Sequence, residues 1–264
     1  MPSIGRMEIK IMKVYFIGAG PGDVELITIK GLKAIQRAGY CIYAGSLVNT
    51  ELLKFLPPHA KVYDSSGMKL EEMATIYEEA KNKDMDVARI HSGDPSIYGA
   101  IQEQMHILDK LDIPYEVIPG VSSFVAAASV LKQELTLPGI TQTIVITRME
   151  GKTPIPEKEH LSILAKSTPT LCIFLSIEKI EEITKILLPH YGEDCPVAVV
   201  YKATWPDQKI LCTKLSNVVK NVKQESINKT ALIIVGRVLE REFKRSVLYG
   251  GTNGKINQTF TKTL

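Results

Sequence analysis

Hydrophobic and polar positions along this chain alternate between a strand period and a helix period, with glycine and proline marking most of the changes. Val14 to Ile17 is a β-branched, aromatic and apolar run that suits a buried strand. Gly18-Ala19-Gly20-Pro21-Gly22-Asp23 breaks it, because Gly and Pro impose a loop with unusual backbone angles. A helical pattern opens near Thr28, a natural N-cap, and closes near Gly39. Tyr40 to Ala44 reads as a second strand, residues 50–55 as a short helix stopped by Pro57-Pro58, and Val62-Tyr63 as a short strand. Met68 to Lys81 reads as a helix with Met73, Ile76, Tyr77 and Ala80 on one face. Val87 to Ile90 is the next strand and runs into His91-Ser92-Gly93-Asp94-Pro95, after which a helix is expected from Ser96 to about Leu111. Tyr115 to Ile118 is a further strand, followed by Pro119-Gly120-Val121-Ser122-Ser123 and an Ala-rich helix.

Three times, then, a strand ends in a Gly- or Pro-containing loop that leads on to a helix. That alternation predicts a parallel sheet with its ligand loops at the carboxyl ends of the strands. The second half differs. Thr141–Thr147, Thr170–Leu175, Val197–Tyr201 and Ala231–Val235 read as strands, Glu178–Leu188 as a helix, and Arg148–Pro156 as a polar loop. Ala203-Thr204-Trp205-Pro206-Asp207 turns the chain into Lys209–Thr213 at hairpin spacing, so a mixed sheet is expected there. The expected organisation is a tag-like leader at residues 1–12, an N-terminal α/β domain at 13–118, a C-terminal α/β domain at 119–237 and a polar tail at 238–264.

Composition narrows the function classes. The 264 residues are 45% hydrophobic and 23% charged, ordinary for a globular chain. A net charge of +3 without a Lys/Arg run gives no argument for a nucleic-acid partner. No apolar run approaches the roughly 18 residues of a membrane span. Cys41, Cys172, Cys195 and Cys212 are scattered without a C-x-x-C pair, which argues against a disulfide framework or a zinc site and for a reducing, cytoplasmic location. The five histidines lack metal-ligand spacing, and no Ser-His-Asp set stands out, so no metal site is expected.

The first loop invites comparison with a dinucleotide fingerprint, G-x-G-x-x-G running directly into a helix. Here the third glycine, Gly22, falls one position early, Asp23 stands in its place, and the helix cap lies well beyond the loop. Ala44 and Gly45 occupy the end of the second strand where that motif wants an acid. The loop suits an uncharged or cationic ligand lying against backbone better than a pyrophosphate.

Taken together and in order, Gly18-Ala19-Gly20-Pro21-Gly22-Asp23, Ser92-Gly93-Asp94-Pro95 with Tyr98-Gly99, and Pro119-Gly120-Val121-Ser122-Ser123 resemble the tetrapyrrole (corrin/porphyrin) methylases over about residues 13–237. Tyr43-Ala44-Gly45-Ser46-Leu47-Val48, Leu135-Thr136-Leu137-Pro138 with Thr141-Gln142-Thr143, Arg148-x-Glu150-Gly151-Lys152-Thr153-Pro154 and Val200-Tyr201-Lys202-Ala203-Thr204-Trp205-Pro206 are similar to the branch that methylates C-11 of precorrin-4 or cobalt-precorrin-4 in cobalamin biosynthesis. One departure counts against uroporphyrinogen as substrate. Relatives acting on it carry Tyr-Asp-Arg where this chain has Tyr43-Ala44-Gly45-Ser46, and losing that Asp leaves the catalytic base unassigned.

The resemblance implies two α/β domains with a ligand cleft between them, S-adenosylmethionine as methyl donor, a tetrapyrrole substrate and a homodimer. A donor with a sulfonium, an adenine, a ribose and an amino-acid end needs close backbone and polar acceptors. Pro21, Gly93, Asp94, Ser122 and Ser123 are the expected lining residues, Asp94 serving either as acceptor or as cap of the next helix. By resemblance, backbone near Leu175-Ser176, Lys202-Ala203 and Thr230-Ala231-Leu232 completes that pocket. Arg89, Arg148, Lys152 and Lys202 are the cations expected to face substrate carboxylates, and Ser46 is a further expected substrate-binding residue. Another ring position, a macromolecular acceptor on the same fold, and a non-catalytic tetrapyrrole carrier stay open as alternatives.

Overall fold

The computed structural model describes residues 11–240 and two short paired strands at Glu242–Lys244 and Thr259–Thr261. The expected leader lies outside these residues over 1–10, as does most of the expected tail. The chain divides after Ser122 into two compact units.

The first unit begins with β1 (Val14–Gly18), a short 3-10 turn and α1 (Ile29–Ile35), which Thr28 caps by accepting the Gly31 N–H at 3.0 Å. β2 (Tyr40–Tyr43), a 3-10 stretch at Thr50–Phe55, β3 (Lys61–Asp64) and α2 (Leu70–Asn82) follow. β4 (Val87–His91), α3 (Ile101–Lys110) and β5 (Tyr115–Ile118) complete it. The five strands are all parallel, in the order β3-β2-β4-β1-β5. Val14, Phe16, Tyr40, Ile42 and Val87 bury one face against Met73, Ile76, Tyr77, Ala80 and Leu108 of α2 and α3. Tyr15, Ile17, Cys41, Ala88 and Ile90 bury the other against Ala34, Ile35 and Ala38. The sheet is therefore covered on both sides, as parallel sheets are. The four-residue face predicted for α2 is buried throughout.

The expected helix from Ser96 begins five residues later. Asp94 Oδ1 accepts the Ser96 N–H at 2.8 Å and closes a turn instead. Tyr98 and Ala100 then take left-handed backbone, with φ of 56° and 49°, so helical geometry starts only at Ile101.

The second unit contains α4 (Ser123–Val130), β6 (Ile144–Arg148), α5 (Leu161–Leu164), β7 (Thr170–Phe174), α6 (Ile180–Tyr191), β8 (Pro196–Tyr201), β9 (Lys209–Lys214), α7 (Val218–Gln224) and β10 (Ala231–Val235). Its sheet runs β6-β7-β10-β8-β9, with β6 parallel to β7 and the remaining pairs antiparallel. The mixed sheet and the β8–β9 hairpin are as the sequence predicts. α5, α6 and α7 pack their apolar sides on one face, and α4 lies against β10. The short helix α7 was not anticipated: its Val218 and Val222 are buried, but the polar residues around them mask the period.

Candidate functional site

In the first unit, connections from neighbouring strands leave in opposite directions. β1 leads through α1 to β2 on one side, whereas the adjacent β4 leads through α3 to β5 on the other. Such a switch point is where open α/β sheets bind ligands, outside the carboxyl ends of the strands. Here the two loops at that point are tied together. Gly93 N–H donates to the Gly20 carbonyl at 2.8 Å, Gly20 N–H returns a bond to the Gly93 carbonyl at 3.2 Å, and Ala19 N–H donates to the His91 carbonyl at 2.8 Å.

Glycine is required at this junction for space. A Cβ on Gly18 would stand 2.5 Å from the Gly120 nitrogen and 2.6 Å from the Gly93 oxygen. One on Gly120 would stand 2.7 Å from the Gly18 Cα and closer still to the Gly93 carbonyl. Gly20 and Gly93 also take positive φ, 79° and 63°. Three loops distant in sequence thus meet backbone to backbone, and Asn49 Nδ2 adds a fourth by donating to the Gly22 carbonyl at 2.9 Å. The α-helix after the first loop starts only at Ile29, so it does not run directly off the loop as a dinucleotide fingerprint requires.

Both oxygens of Asp94 bond to its own chain. Oδ1 accepts the Ser96 N–H and the Ser96 hydroxyl, while Oδ2 accepts the Gly120 N–H at 2.9 Å. Partial burial pushes its carboxyl upward, but the Ser96 hydroxyl and the Gly120 and Ser96 N–H groups outweigh that and hold it below its ordinary value. The carboxylate therefore braces the second loop to the third. Pro21 and Ser122 are buried beside this junction, and Ser123 opens α4 in the second unit. Ser46 is exposed in a 3-10 turn just past β2.

Arg89 departs from expectation. Only 5% exposed, its Nε donates to Gln104 Oε1 at 2.9 Å and its Nη1 to the carbonyls of Ile42 and Ile90 at 3.3 Å. An arginine in the middle of a doubly covered strand has no solvent face, so Arg89 is a core residue and not a substrate-facing cation. His91, on the same face of β4 and 4% exposed, packs its ring against Phe16, with Nε2 buried and unpartnered. Burial, then the Arg89 charge, push its pKa down to about 3, so the imidazole is neutral.

In the second unit the predicted residues gather at one end of the sheet. Register places Arg148 opposite Phe174 and Tyr201 opposite Ala231, and the Lys202 N–H donates to the Thr230 carbonyl at 2.9 Å. The turns that leave these strands are backbone outliers. Leu175, Lys202 and Thr230 have φ of 51°, 46° and 51°, although none is glycine, and Leu175 is 73% exposed. Non-glycine residues held in this region concentrate at functional sites.

Around these turns, Ser176 donates to the Phe174 carbonyl at 2.6 Å and accepts the Met149 N–H at 2.7 Å. Arg148 donates to the carbonyls of Met149, Thr153 and Pro154 at 3.1–3.2 Å, folding the 149–154 loop around its guanidinium. Lys152 is exposed on that loop. The Lys202 ammonium lies 2.6 Å from Asp207 and 5.4 and 5.3 Å from the Tyr201 and Trp205 rings. The hydrogen bond to Asp207 raises its pKa. Ala203 and Leu232 are buried, whereas Thr230 is exposed.

Residues 13–219, which include every loop described above except the turn at Thr230, match the family model of the Tetrapyrrole (Corrin/Porphyrin) Methylases. The chain belongs to this family. It is 53% identical over 232 residues to a cobalt-precorrin-4 C(11)-methyltransferase of Methanocaldococcus jannaschii, covering 88% of this chain and 90% of that protein. The fold superposes with a TM-score of 0.85 and 45% identity on the X-ray structure of a cobalt precorrin-4 methyltransferase, over 87% of this chain and 96% of that one. It is also similar, at a TM-score of 0.72 and 26% identity over 86% and 93% of the two chains, to a Thermus thermophilus uroporphyrin-III C-methyltransferase complexed with S-adenyl homocysteine.

Sequence reasoning missed Gln104, which is buried on α3. The signal was available, since Ile101, Gln104 and Leu108 share one helical face and a polar residue there must find partners. It also treated Gly18 and Gly120 as turn residues, because close packing between distant loops leaves no local trace.

Proposed function

We infer that this protein transfers a methyl group from S-adenosylmethionine to C-11 of precorrin-4, as the free ring or its cobalt complex, in cobalamin biosynthesis. The observation that carries this reading is the 53% identity to the Methanocaldococcus jannaschii relative over nine-tenths of that protein's length. Family membership and the S-adenyl homocysteine in the Thermus thermophilus relative support the donor. The residues present fit it. A floor of tied backbone at Gly18, Gly93 and Gly120, off which α1 does not directly run, suits a ligand lying against backbone.

When bound, the donor supplies an electrophilic methyl on a sulfonium sulfur. The chain's part is placement. Holding a ring carbon and a methyl as a near-attack pair supplies roughly 7–11 kcal/mol, and an enamine-like carbon needs no activated Ser or Cys. In this reading the donor-binding residues are Pro21, Gly93, Asp94, Ser122, Ser123, Leu175, Ser176, Lys202, Ala203, Thr230, Ala231 and Leu232. Asp94 fixes loop geometry through both of its oxygens. Arg148, Lys152 and Lys202, with Ser46, receive the carboxylate-rich substrate. A cytoplasmic homodimer completes the proposal, supported by the four free cysteines and by family analogy, and sedimentation tests the dimer.

The deciding experiment incubates pure protein with radiolabelled S-adenosylmethionine and enzymatically made precorrin-4, with and without cobalt, and locates the label by NMR. Label at C-11 in either form is expected, and the better-used form identifies the substrate. Donor binding with no label in either form would overturn the corrin assignment.

A further inference from the structure

The second loop is anchored at both ends, and its far anchor is a buried polar network outside the strand-end floor. At its near end Gly93 pairs with Gly20 and Asp94 grips Gly120. At its far end the chain passes through left-handed Tyr98 and Ala100, with Gly99 pressed so close to Pro95 that a Cβ would collide with its carbonyl. No side chain caps α3 at Ala100. The buried Gln104 reaches the same residue from the helix side, donating from Nε2 to the Ala100 carbonyl at 3.1 Å. Its Oε1 accepts Arg89 Nε at 2.9 Å and the Tyr77 hydroxyl at 3.0 Å. Two donors at one oxygen fix the orientation of the amide. Among the described residues Arg89 is buried with no carboxylate bonded to it, and Gln104 is its side-chain acceptor.

We propose that Gln104, held by Arg89 and Tyr77, is a positioning residue that fixes the end of the 92–100 loop and thereby the donor-facing segment Gly93–Asp94. This rests on the donor reading above. A strained turn closes only where surrounding contacts over-determine it. Removing the side-chain bond that Gln104 makes to Ala100 should let the loop relax while the sheet beneath stays folded.

The conservative variant separates positioning from general stability. Gln104→Glu keeps both accepted bonds and gives Arg89 a charged partner, but puts a second oxygen against the Ala100 carbonyl. Gln104→Met loses all three contacts. The expected result for Gln104→Glu is a thermal midpoint at or above wild type, faster hydrogen exchange across residues 93–100, and S-adenosylhomocysteine binding weakened about tenfold by calorimetry, the scale of one lost buried hydrogen bond. Gln104→Met should show the same loss of affinity with a lower midpoint.

Unchanged exchange over 93–100 in a folded Gln104→Glu protein would overturn the proposal, as would unchanged affinity. If wild-type protein fails to bind S-adenosylhomocysteine, the donor reading falls, and the exchange measurement still decides whether Gln104 holds the loop.

Discussion

The two units meet a similar demand with different residues. Each must turn the chain sharply at the ends of its strands, in backbone conformations that L-residues resist. The first unit uses glycine at Gly20 and Gly93, and adds Gly18 and Gly120 where loops touch backbone to backbone. The second uses Leu175, Lys202 and Thr230, which keep their side chains despite positive φ. The difference shows what limits each site. Where loops are pressed together, volume decides and only a hydrogen fits. Where the turn faces outward, the side chain is worth the strain, which for a single left-handed residue is about 1 kcal/mol.

Gly120→Ala is the most severe way to break this comparison. Its Cβ would meet fixed backbone from two other loops, so a loss of about 3 kcal/mol in urea unfolding is expected, with donor binding abolished. A loss below about 0.5 kcal/mol, the scale of an ordinary surface change, would show that the junction gives way easily.

Acid should separate the units next. His91 is neutral in the folded first unit, with its pKa near 3, whereas the unfolded chain takes up the proton near 6.5. The unfolded state then binds more protons below about pH 6.5, so the stability of the first unit should fall as pH drops from there toward 3, by up to about 1.4 kcal/mol per unit. Hydrogen exchange of β1 and β4 reads the first unit, and the fluorescence of the chain's single tryptophan, Trp205, reads the second. His91→Leu should flatten the slope in the first probe alone. An equal slope in the variant would remove His91 as the cause.

Arg148→Ala tests the second unit on its own ground. With its three carbonyl contacts gone, the 149–154 loop loses its shape, and tetrapyrrole binding should weaken about tenfold while S-adenosylhomocysteine binding is kept. Equal loss of both ligands by calorimetry would refute that division. The gentlest test is Leu175→Gly. Relief of strain, offset by the greater freedom of glycine in the unfolded chain, predicts a gain below about 1 kcal/mol. A clear loss would mean that the exposed leucine is held by packing.

Much of this was legible in the sequence because local chemistry decides it. Thr28 caps α1, Met73, Ile76, Tyr77 and Ala80 bury one face of α2, and the turn at 203–207 makes the hairpin. What escaped depends on distant partners. Arg89 reads as a substrate-facing cation until the sheet is seen to be covered on both sides. The helix expected from Ser96 is delayed because Asp94 spends its first oxygen on a turn and its second on Gly120, twenty-six residues away. The positive φ of Leu175 and Thr230 has no signature in residue type at all.

The junction at Gly18, Gly93 and Gly120 also bears on how such a protein could be re-engineered. Contacts made by main chain alone carry no chemical vocabulary: they state where a ligand can rest and nothing about which ligand it is. An engineer seeking a new acceptor could therefore rewrite the 149–154 turn, treating the glycine floor as a chassis to be left untouched.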